Sequence, residues 1–494
     1  MNKYYKILNA LGLLLMIIST TLLVPVFCAL LFLEFDIIWG FVLPAALFFS
    51  FGILIFYLTR KHKKIELPKR YATVLVFLSW IAAILVSSMP FMLSGNLNFT
   101  RAIFESTSGL TTTGFTVVDV ELAYKSILLW RSLTQFIGGL GVVFVIQILV
   151  HDRQATMLYT LEGHSERILP NINKTLKLIG LIYCSYMVIG ALLYIIGGMS
   201  IFDAVNHSMA AISTGGFSTK AQSIGYYDSL YIESVTILLM LLGSINFAVH
   251  ILLFSGRFKK IYKIFEIKVT GIIILIAVPF MIFVGFNGIY SSLGAQARVG
   301  IFHTISAFST TGFSISNADM TEFAVLGFVV LMLIGGNMGS TSGGIKHYRI
   351  GLCCKTFYWD IKARIIGENK VYQPYIVNPV GKVYITKADT EKNNFIILLF
   401  FFFWLFGCLM LIAFGHTLID SMFEFASAIG NVGINSKITA GNSNSFLWFF
   451  IMAMILGRLE FITIFVSISR ILGDCFKLRF RKKKEKLINI KEVK

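Results

Sequence analysis

Charge is scarce in this chain. Of its 494 residues only 14% are Asp, Glu, Lys or Arg, whereas about a quarter is usual for a soluble domain. An ordinary water-facing surface is thereby excluded. Proline is scarce too, with eight in all, and the six cysteines (Cys28, Cys184, Cys353, Cys354, Cys408, Cys475) show no metal-type spacing. Cys353 and Cys354 are adjacent, too close for a structural zinc site, and all six lie in or beside apolar runs, as buried thiols do. Eight scattered histidines without metal spacing offer no clustered catalytic set, which argues against a membrane enzyme. No cleavable signal is expected, because the first hydrophobic run, about 7–33, exceeds a signal core and lacks a convincing cleavage site.

Long apolar runs fill the space. Hydrophobic residues make up 56% of the chain and the mean hydropathy is +0.78, the values of a protein that crosses a membrane many times. The formal charge of +18 does not point to nucleic acid. Its basic residues sit between apolar spans and at the C-terminus, where positive-inside topology puts them. Many of the 41 glycines fall within spans, as close helix packing and broken helices require.

One short pattern recurs. Thr111-Thr112-Thr113-Gly114-Phe115 is echoed by Ser213-Thr214-Gly215-Gly216-Phe217, by Ser309-Thr310-Thr311-Gly312-Phe313 and, more distantly, by Gly430-Asn431-Val432-Gly433-Ile434. The closing glycines lie roughly 100 residues apart, the mark of four copies of one unit. Such residue types suit a cation filter. A potassium ion leaves water only where oxygens replace its hydration shell, and rings of backbone carbonyls can supply them. Aiming successive carbonyls at one axis takes backbone with positive φ, which glycine allows. Threonine hydroxyls add a further oxygen or tie the loop to its wall. Potassium in the pore, with no bound cofactor, is the expectation.

In chain order, apolar runs near 7–33 and 37–58 form an extra hairpin (1–66), which ends in the basic stretch Arg60-Lys61-His62-Lys63-Lys64. Repeat one (67–165) holds a span at about 71–93, a short helix at about 100–110, the first loop, and a span ending near Val150. Repeat two (166–262) places these at 176–198, 202–212 and 229–254. Repeat three (263–392) has spans near 268–284 and 323–334, with 299–308 leading into its loop. Its basic segment 346–392 is read as cytoplasmic. Repeat four (393–494) uses 394–414, 418–429 and 446–472 before a basic tail. The fold class is therefore an all-α polytopic membrane protein with ten spans, four pore units around a pseudo-fourfold axis, and both termini cytoplasmic. Backbone that is neither helix nor sheet survives at membrane depth only where it is buried in protein or lines a watery cavity. The short helices would point their negative C-terminal ends at the pore and favour a cation there. Glu105, His207, His303 and Glu424 fall at one equivalent position of these helices, as hydrogen-bonding struts or as ion ligands.

Two anomalies lie within the spans. Gly335-Gly336-Asn337-Met338-Gly339-Ser340-Thr341-Ser342-Gly343-Gly344, followed by Ile345 and Lys346, interrupts repeat three. Each interior glycine costs a helix roughly 1 kcal/mol against alanine, so the segment should be non-helical and suits a gate. A phosphate-loop reading fails: Ile345 separates Gly344 from Lys346, His347 stands where a magnesium-binding Ser or Thr belongs, and no strand precedes it. Arg458 sits inside the last span. At a helix centre an arginine costs about 2.5 kcal/mol or more, so it needs a partner. Carbonyls of the glycine-rich segment, or a carboxylate such as Glu460, are the candidates. On the ion path its charge would be an electrostatic barrier.

These residues carry a resemblance. The four loops, Trp130-Arg131-Ser132-Leu133-Thr134-Gln135 with Gly138-Gly139-Leu140-Gly141, the 335–346 segment, and Gly457-Arg458-Leu459-Glu460 resemble the membrane subunit of Trk-type potassium uptake systems, in the Trk/Ktr superfamily. The resemblance implies a homodimer with one pore per protomer, in a bacterial plasma (inner) membrane. It also implies a cytosolic nucleotide-binding (NAD- or ATP-responsive) regulatory subunit as partner, and a gate at 335–345 with Arg458 as its neighbour. Glycine at all four loop positions matches the potassium-selective members, whereas Asn431-Val432 departs most from the pattern. Coupling of potassium entry to protons or sodium, as in a symporter, is the alternative.

Overall fold

The structure is a computed structural model, and it describes residues 2–62, 68–94, 97–142, 172–316, 320–366, 374–434 and 443–474. It is mostly helical. Six helical segments are long and apolar enough to cross a membrane: Lys3–Leu31, Phe35–Thr59, Tyr71–Leu93, Lys174–Ile196, Phe265–Gly285 and Lys387–Ala413. Two bent pairs bring the number to eight, so the chain is a multi-pass membrane protein. Glu322–Ile334 and the described part of the helix Lys125–Leu140 are shorter than a full span.

Four short helices set the plan: Phe99–Leu110, Ile201–Ile212, Leu293–Phe308 and Leu418–Gly430. Each begins at a capping side chain. Asn98, Ser200, Ser292 and Thr417 accept from the N–H three residues on, a cap that contributes about 1 kcal/mol. Twelve residues rise about 18 Å, little more than half a hydrocarbon core. These helices therefore end inside the protein. Their second halves are wholly buried, from Ala102 to Leu110 in the first and from Asn206 to Ile212 in the second.

The N-terminal hairpin docks on the first unit through an acid. The Glu34 carboxylate accepts from the backbone N–H of Lys125 at 2.7 Å and of Ser126 at 3.0 Å, capping the helix Lys125–Leu140 from outside. Within the hairpin, Gly12 and Gly52 let two helices touch backbone to backbone: a Cβ on Gly12 would lie 2.9 Å from the Gly52 carbonyl oxygen.

Three expectations need correction. The run 229–254 is two helices, Leu230–Ser244 and Phe247–Phe254, bent by 108°. The run 446–472 is likewise broken, by 105°, between Asn444–Leu459 and Phe461–Asp474. Neither break has a glycine run to announce it. At the first, the Asn246 side chain accepts from the Ala248 N–H and caps the new helix; at the second, Glu460 takes a φ of 57°. The chain is also not purely α. Tyr375–Asn378 pairs antiparallel with Gly381–Tyr384 across a two-residue turn, in the segment expected to be cytoplasmic. Tyr and Val on both arms, with Ile on the first, are strand formers.

Candidate functional site

Each short helix ends in the same way. The N–H groups of Thr113, Gly215, Thr311 and Val432 reach back five residues, to the carbonyls of Ser108, Ala210, Ser306 and Ser427, at 2.8–2.9 Å. Those of Thr112, Thr214, Thr310 and Asn431 bond the carbonyls of Gly109, Ala211, Ala307 and Ala428, at 3.0–3.2 Å. This pair of bonds is a Schellman motif, and it requires a left-handed residue at its turn. That residue is Thr112 (φ 56°), Thr214 (52°), Thr310 (59°) or Asn431 (55°). Left-handed backbone is uncommon for β-branched residues and tolerated by Asn, so the fourth loop departs in sequence but not in backbone.

The motif turns each loop towards its neighbour, and the loops close on themselves. A Cβ on Gly114 would lie 2.4 Å from the Gly215 oxygen, and one on Gly216 2.0 Å from the Thr311 oxygen. A Cβ on Gly312 would lie 2.0 Å from the Val432 oxygen, and one on Gly433 1.9 Å from the Thr113 oxygen. Gly114, Gly216, Gly312 and Gly433 (φ 97°, 73°, 85° and 84°) thus form one ring, each against the carbonyl that precedes the next glycine. No side chain fits there. The threonine hydroxyls serve as ties: Thr111 Oγ1 donates to the Thr107 carbonyl and lies 2.7 Å from Thr113 Oγ1, and Ser309 Oγ lies 2.7 Å from Thr311 Oγ1. Ser213 Oγ donates to the Ala210 carbonyl.

The ascending legs are held by the equivalent residues of the short helices. Glu105 accepts from Thr116 Oγ1 and from the Val117 N–H, both at 2.9 Å. His207 Nε2 lies 2.9 Å from Ser218 Oγ, and His303 Nε2 accepts from the Ile315 N–H at 3.1 Å. These three side chains are struts in geometry. Glu424 is fully buried at the fourth position. Glu105 also receives Arg131 Nε at 2.7 Å, in a buried ion pair.

Beyond the ring, each helix that follows a loop comes to an end. Gly141 (φ 96°), Ile245, Gly335 (φ 68°) and Glu460 each follow a last helical residue. Broken ends leave carbonyls without partners, and the glycine-rich segment takes them up. Thr341 donates to the Gly243 carbonyl from N–H (3.2 Å) and Oγ1 (2.9 Å), and the Asn337 N–H donates to Ser244. Ile345 and Lys346 N–H return to Leu333 and Ile334, and the His347 N–H to Gly336. Gly335 must be glycine: its φ is positive, and a Cβ would meet the Gly343 oxygen at 2.2 Å, while Gly344 packs back on Gly335. Gly343 lies against the Gly430 carbonyl, Ser340 Oγ donates to Asn337, and Lys346 Nζ donates to the Ser342 carbonyl.

Arg458 joins this layer. Nη1 donates to the Thr341 carbonyl at 2.5 Å, and Nη2 to the Gly138 carbonyl at 2.7 Å, with the Gly139 oxygen 3.3 Å away. A guanidinium at the end of Lys125–Leu140 also sits at the negative end of that helix. The Glu460 carboxylate pairs with Arg349 at 2.5 Å, so of the two partners considered for Arg458 the glycine-rich segment is the one observed. Between these groups remains a cavity of about 40 Å³, lined by Trp80, Gly139, Ser342, Lys346, Arg458 and Glu460 among others.

The chain matches a family model described as TrkH, cation transport protein, over residues 40–474. It belongs to the TrkH family. Among its relatives, an uncharacterized cation transporter of Methanocaldococcus jannaschii is 33% identical, the match covering 93% of this chain and 94% of the relative. The Trk system potassium uptake protein TrkH of Escherichia coli K12 is 32% identical, covering 94% and 98%. The crystal structure of the potassium transporter TrkH from Vibrio parahaemolyticus superposes with a TM-score of 0.83 at 28% identity, covering 94% of this chain and 98% of that one. The relatives are named as transporters, not enzymes, and the same holds for this TrkH-family chain.

Sequence reasoning missed several groups of this site. Gln135 bonds the second loop on both sides of Gly216. Glu266 accepts from the Met338 N–H at 2.8 Å, and Asn337 Oδ1 accepts from Thr270 Oγ1 at 2.9 Å and lies 2.6 Å from His347 Nδ1. The available signal was polarity on apolar helices: Arg131 and Gln135 stand one turn apart in a helix that has to be buried.

Proposed function

We propose that this protein is the potassium-selective, ion-translocating subunit of an uptake system in a bacterial plasma membrane, working as a gated pore. The observation that carries this reading is the closed ring of Gly114, Gly216, Gly312 and Gly433, with the carbonyls of Thr113, Gly215, Thr311 and Val432 between them. Oxygens so placed can substitute for the hydration shell of a potassium ion. The names of the E. coli and V. parahaemolyticus relatives support potassium as the ion.

In this reading the chain has ten spans, counting the two bent pairs together with Lys125–Leu140 and Glu322–Ile334, and both termini are cytoplasmic. An ion sheds water at the ring and enters the space below it. There it meets the 335–346 segment and Arg458, which together close the path. The cytoplasmic face around His347–Ile366 and the hairpin receives a nucleotide-binding regulatory subunit, and two protomers associate, each with its own pore.

Purified protein in liposomes tests the proposal. Potassium uptake well above sodium uptake is expected, with no dependence on an imposed proton gradient beyond its electrical component. Equal uptake of the two ions would refute the filter reading. Strict dependence on a proton or sodium gradient would replace the channel by a symporter.

A further inference from the structure

The helix Lys125–Leu140 carries two buried polar side chains four residues apart, Arg131 and Gln135. Residues at that spacing share a face, and this face meets the loop of the second unit. Gln135 holds that loop twice. Its Nε2 donates to the Gly215 carbonyl at 2.5 Å, and its Oε1 accepts from the Phe217 N–H at 3.1 Å. The two bonds straddle Gly216. Arg131 continues the grip, with Nη1 donating to the Ser218 carbonyl at 3.1 Å and its guanidinium 4.0 Å from the centre of the Phe217 ring. Glu105 fixes Arg131 from behind. Three of the four residues 215–218 of the second loop, Gly215, Phe217 and Ser218, are thus held by a helix of the first unit.

The clamp is asymmetric. Of the four ring carbonyls, Gly215 is the one that receives a side-chain hydrogen bond among the described residues. An amide N–H on a carbonyl oxygen occupies one of its two lone pairs and fixes the direction in which the oxygen points. An oxygen so tied cannot swing inward to follow a smaller ion. Cavity size and carbonyl field strength are the two quantities that set potassium over sodium, and this bond acts on both.

We propose that Gln135 is a specificity-determining residue of the ring, holding the Gly215 oxygen at the spacing that suits potassium, with Arg131 as the positioning residue beside it. The proposal rests on reading the ring as the filter.

The test uses full-length protein in liposomes, with potassium and sodium fluxes measured for Gln135→Leu, Gln135→Glu and Gly216→Ser. An ionised Glu still accepts from Phe217 but has no proton for Gly215, so it isolates the donor. Both Gln135 variants should lower the potassium-to-sodium flux ratio by on the order of tenfold, the scale of one lost hydrogen bond, while potassium flux itself persists. A clamp with a merely structural role would change total flux or thermal stability and leave the ratio alone. An unchanged ratio in both Gln135 variants, with the ratio lost in Gly216→Ser, overturns the proposal and spares the filter. An unchanged ratio in Gly216→Ser as well overturns the filter reading and this proposal with it. If Gln135→Leu does not fold, Gln135→Glu and Gln135→Met decide.

Discussion

The Gly343 N–H donates to Thr310 Oγ1 at 2.9 Å, fastening the glycine-rich segment to the third ring loop from below. The other left-handed residues make matching contacts. Thr214 Oγ1 lies 3.0 Å from Thr341 Oγ1, Thr112 Oγ1 lies 3.4 Å from Arg458 Nη1, and Asn431 Nδ2 donates to the Met454 carbonyl at 2.9 Å. Ring and floor therefore meet through Thr112, Thr214 and Thr310, three of the residues that the helix-ending motif forces into positive φ, while Asn431 ties the fourth loop to the helix that follows it. Thr310→Val keeps the shape of the side chain and removes the acceptor. Leaving a buried N–H unpaired costs about 1–3 kcal/mol, and if the segment is the proposed gate this cost falls on its closed position. Potassium flux in liposomes should rise several-fold, and an unchanged flux in folded protein would disprove the fastening role.

Arg458 bonds carbonyls on two separate elements, Thr341 and Gly138. If Arg458 closes the path as proposed, Arg458→Gln, which removes the charge and most of the donors, should lower the barrier and increase cation flux. Arg458→Lys keeps the charge but not the planar fork, and should raise flux less. Flux assays on both variants check the order.

The Glu105–Arg131 pair is buried on both sides. Breaking such a pair strands a charge and costs about 3–5 kcal/mol. Glu105→Gln should lower thermal stability markedly. The double variant Glu105→Gln with Arg131→Met should recover part of the loss, as a double-mutant cycle followed by thermal unfolding would register.

A side chain at a ring glycine collides with the next carbonyl, at 1.9 Å for Gly433 and 2.4 Å for Gly114. Gly433→Ala should open one side of the ring and lose potassium over sodium discrimination. Gly114→Ser, with the looser contact, should still conduct and admit sodium. Flux ratios for the two variants measure this.

Much of this was legible in the sequence because it is written four times. The recurring pattern around the four glycines pointed to the four loops and, through their common spacing, to the equivalent positions Glu105, His207, His303 and Glu424, of which the first three are struts in geometry. The glycine run at 335–344 announced a break. What stayed hidden has a physical reason. The bends at Ile245 and Glu460 lie in apolar runs whose local preference is helical, and at the first a distant segment takes up the freed carbonyls, as Thr341 does for Gly243. Gln135 showed only as a polar side chain on an apolar helix, and its partners stayed hidden because Gly215 and Phe217 are 80 and 82 residues away. The β-hairpin at 375–384 is too short for its alternation to stand out from a loop.

The central claim is that one polypeptide surrounds a cation with main-chain oxygens drawn from four duplicated segments. An anomalous-scattering map of crystals grown with rubidium or thallium, as heavy stand-ins for potassium, addresses it most directly. The account predicts a peak on the axis of the ring, in contact with the carbonyls of Thr113, Gly215, Thr311 and Val432. A vacant ring in such crystals, with the ion bound elsewhere in the protein, would contradict it.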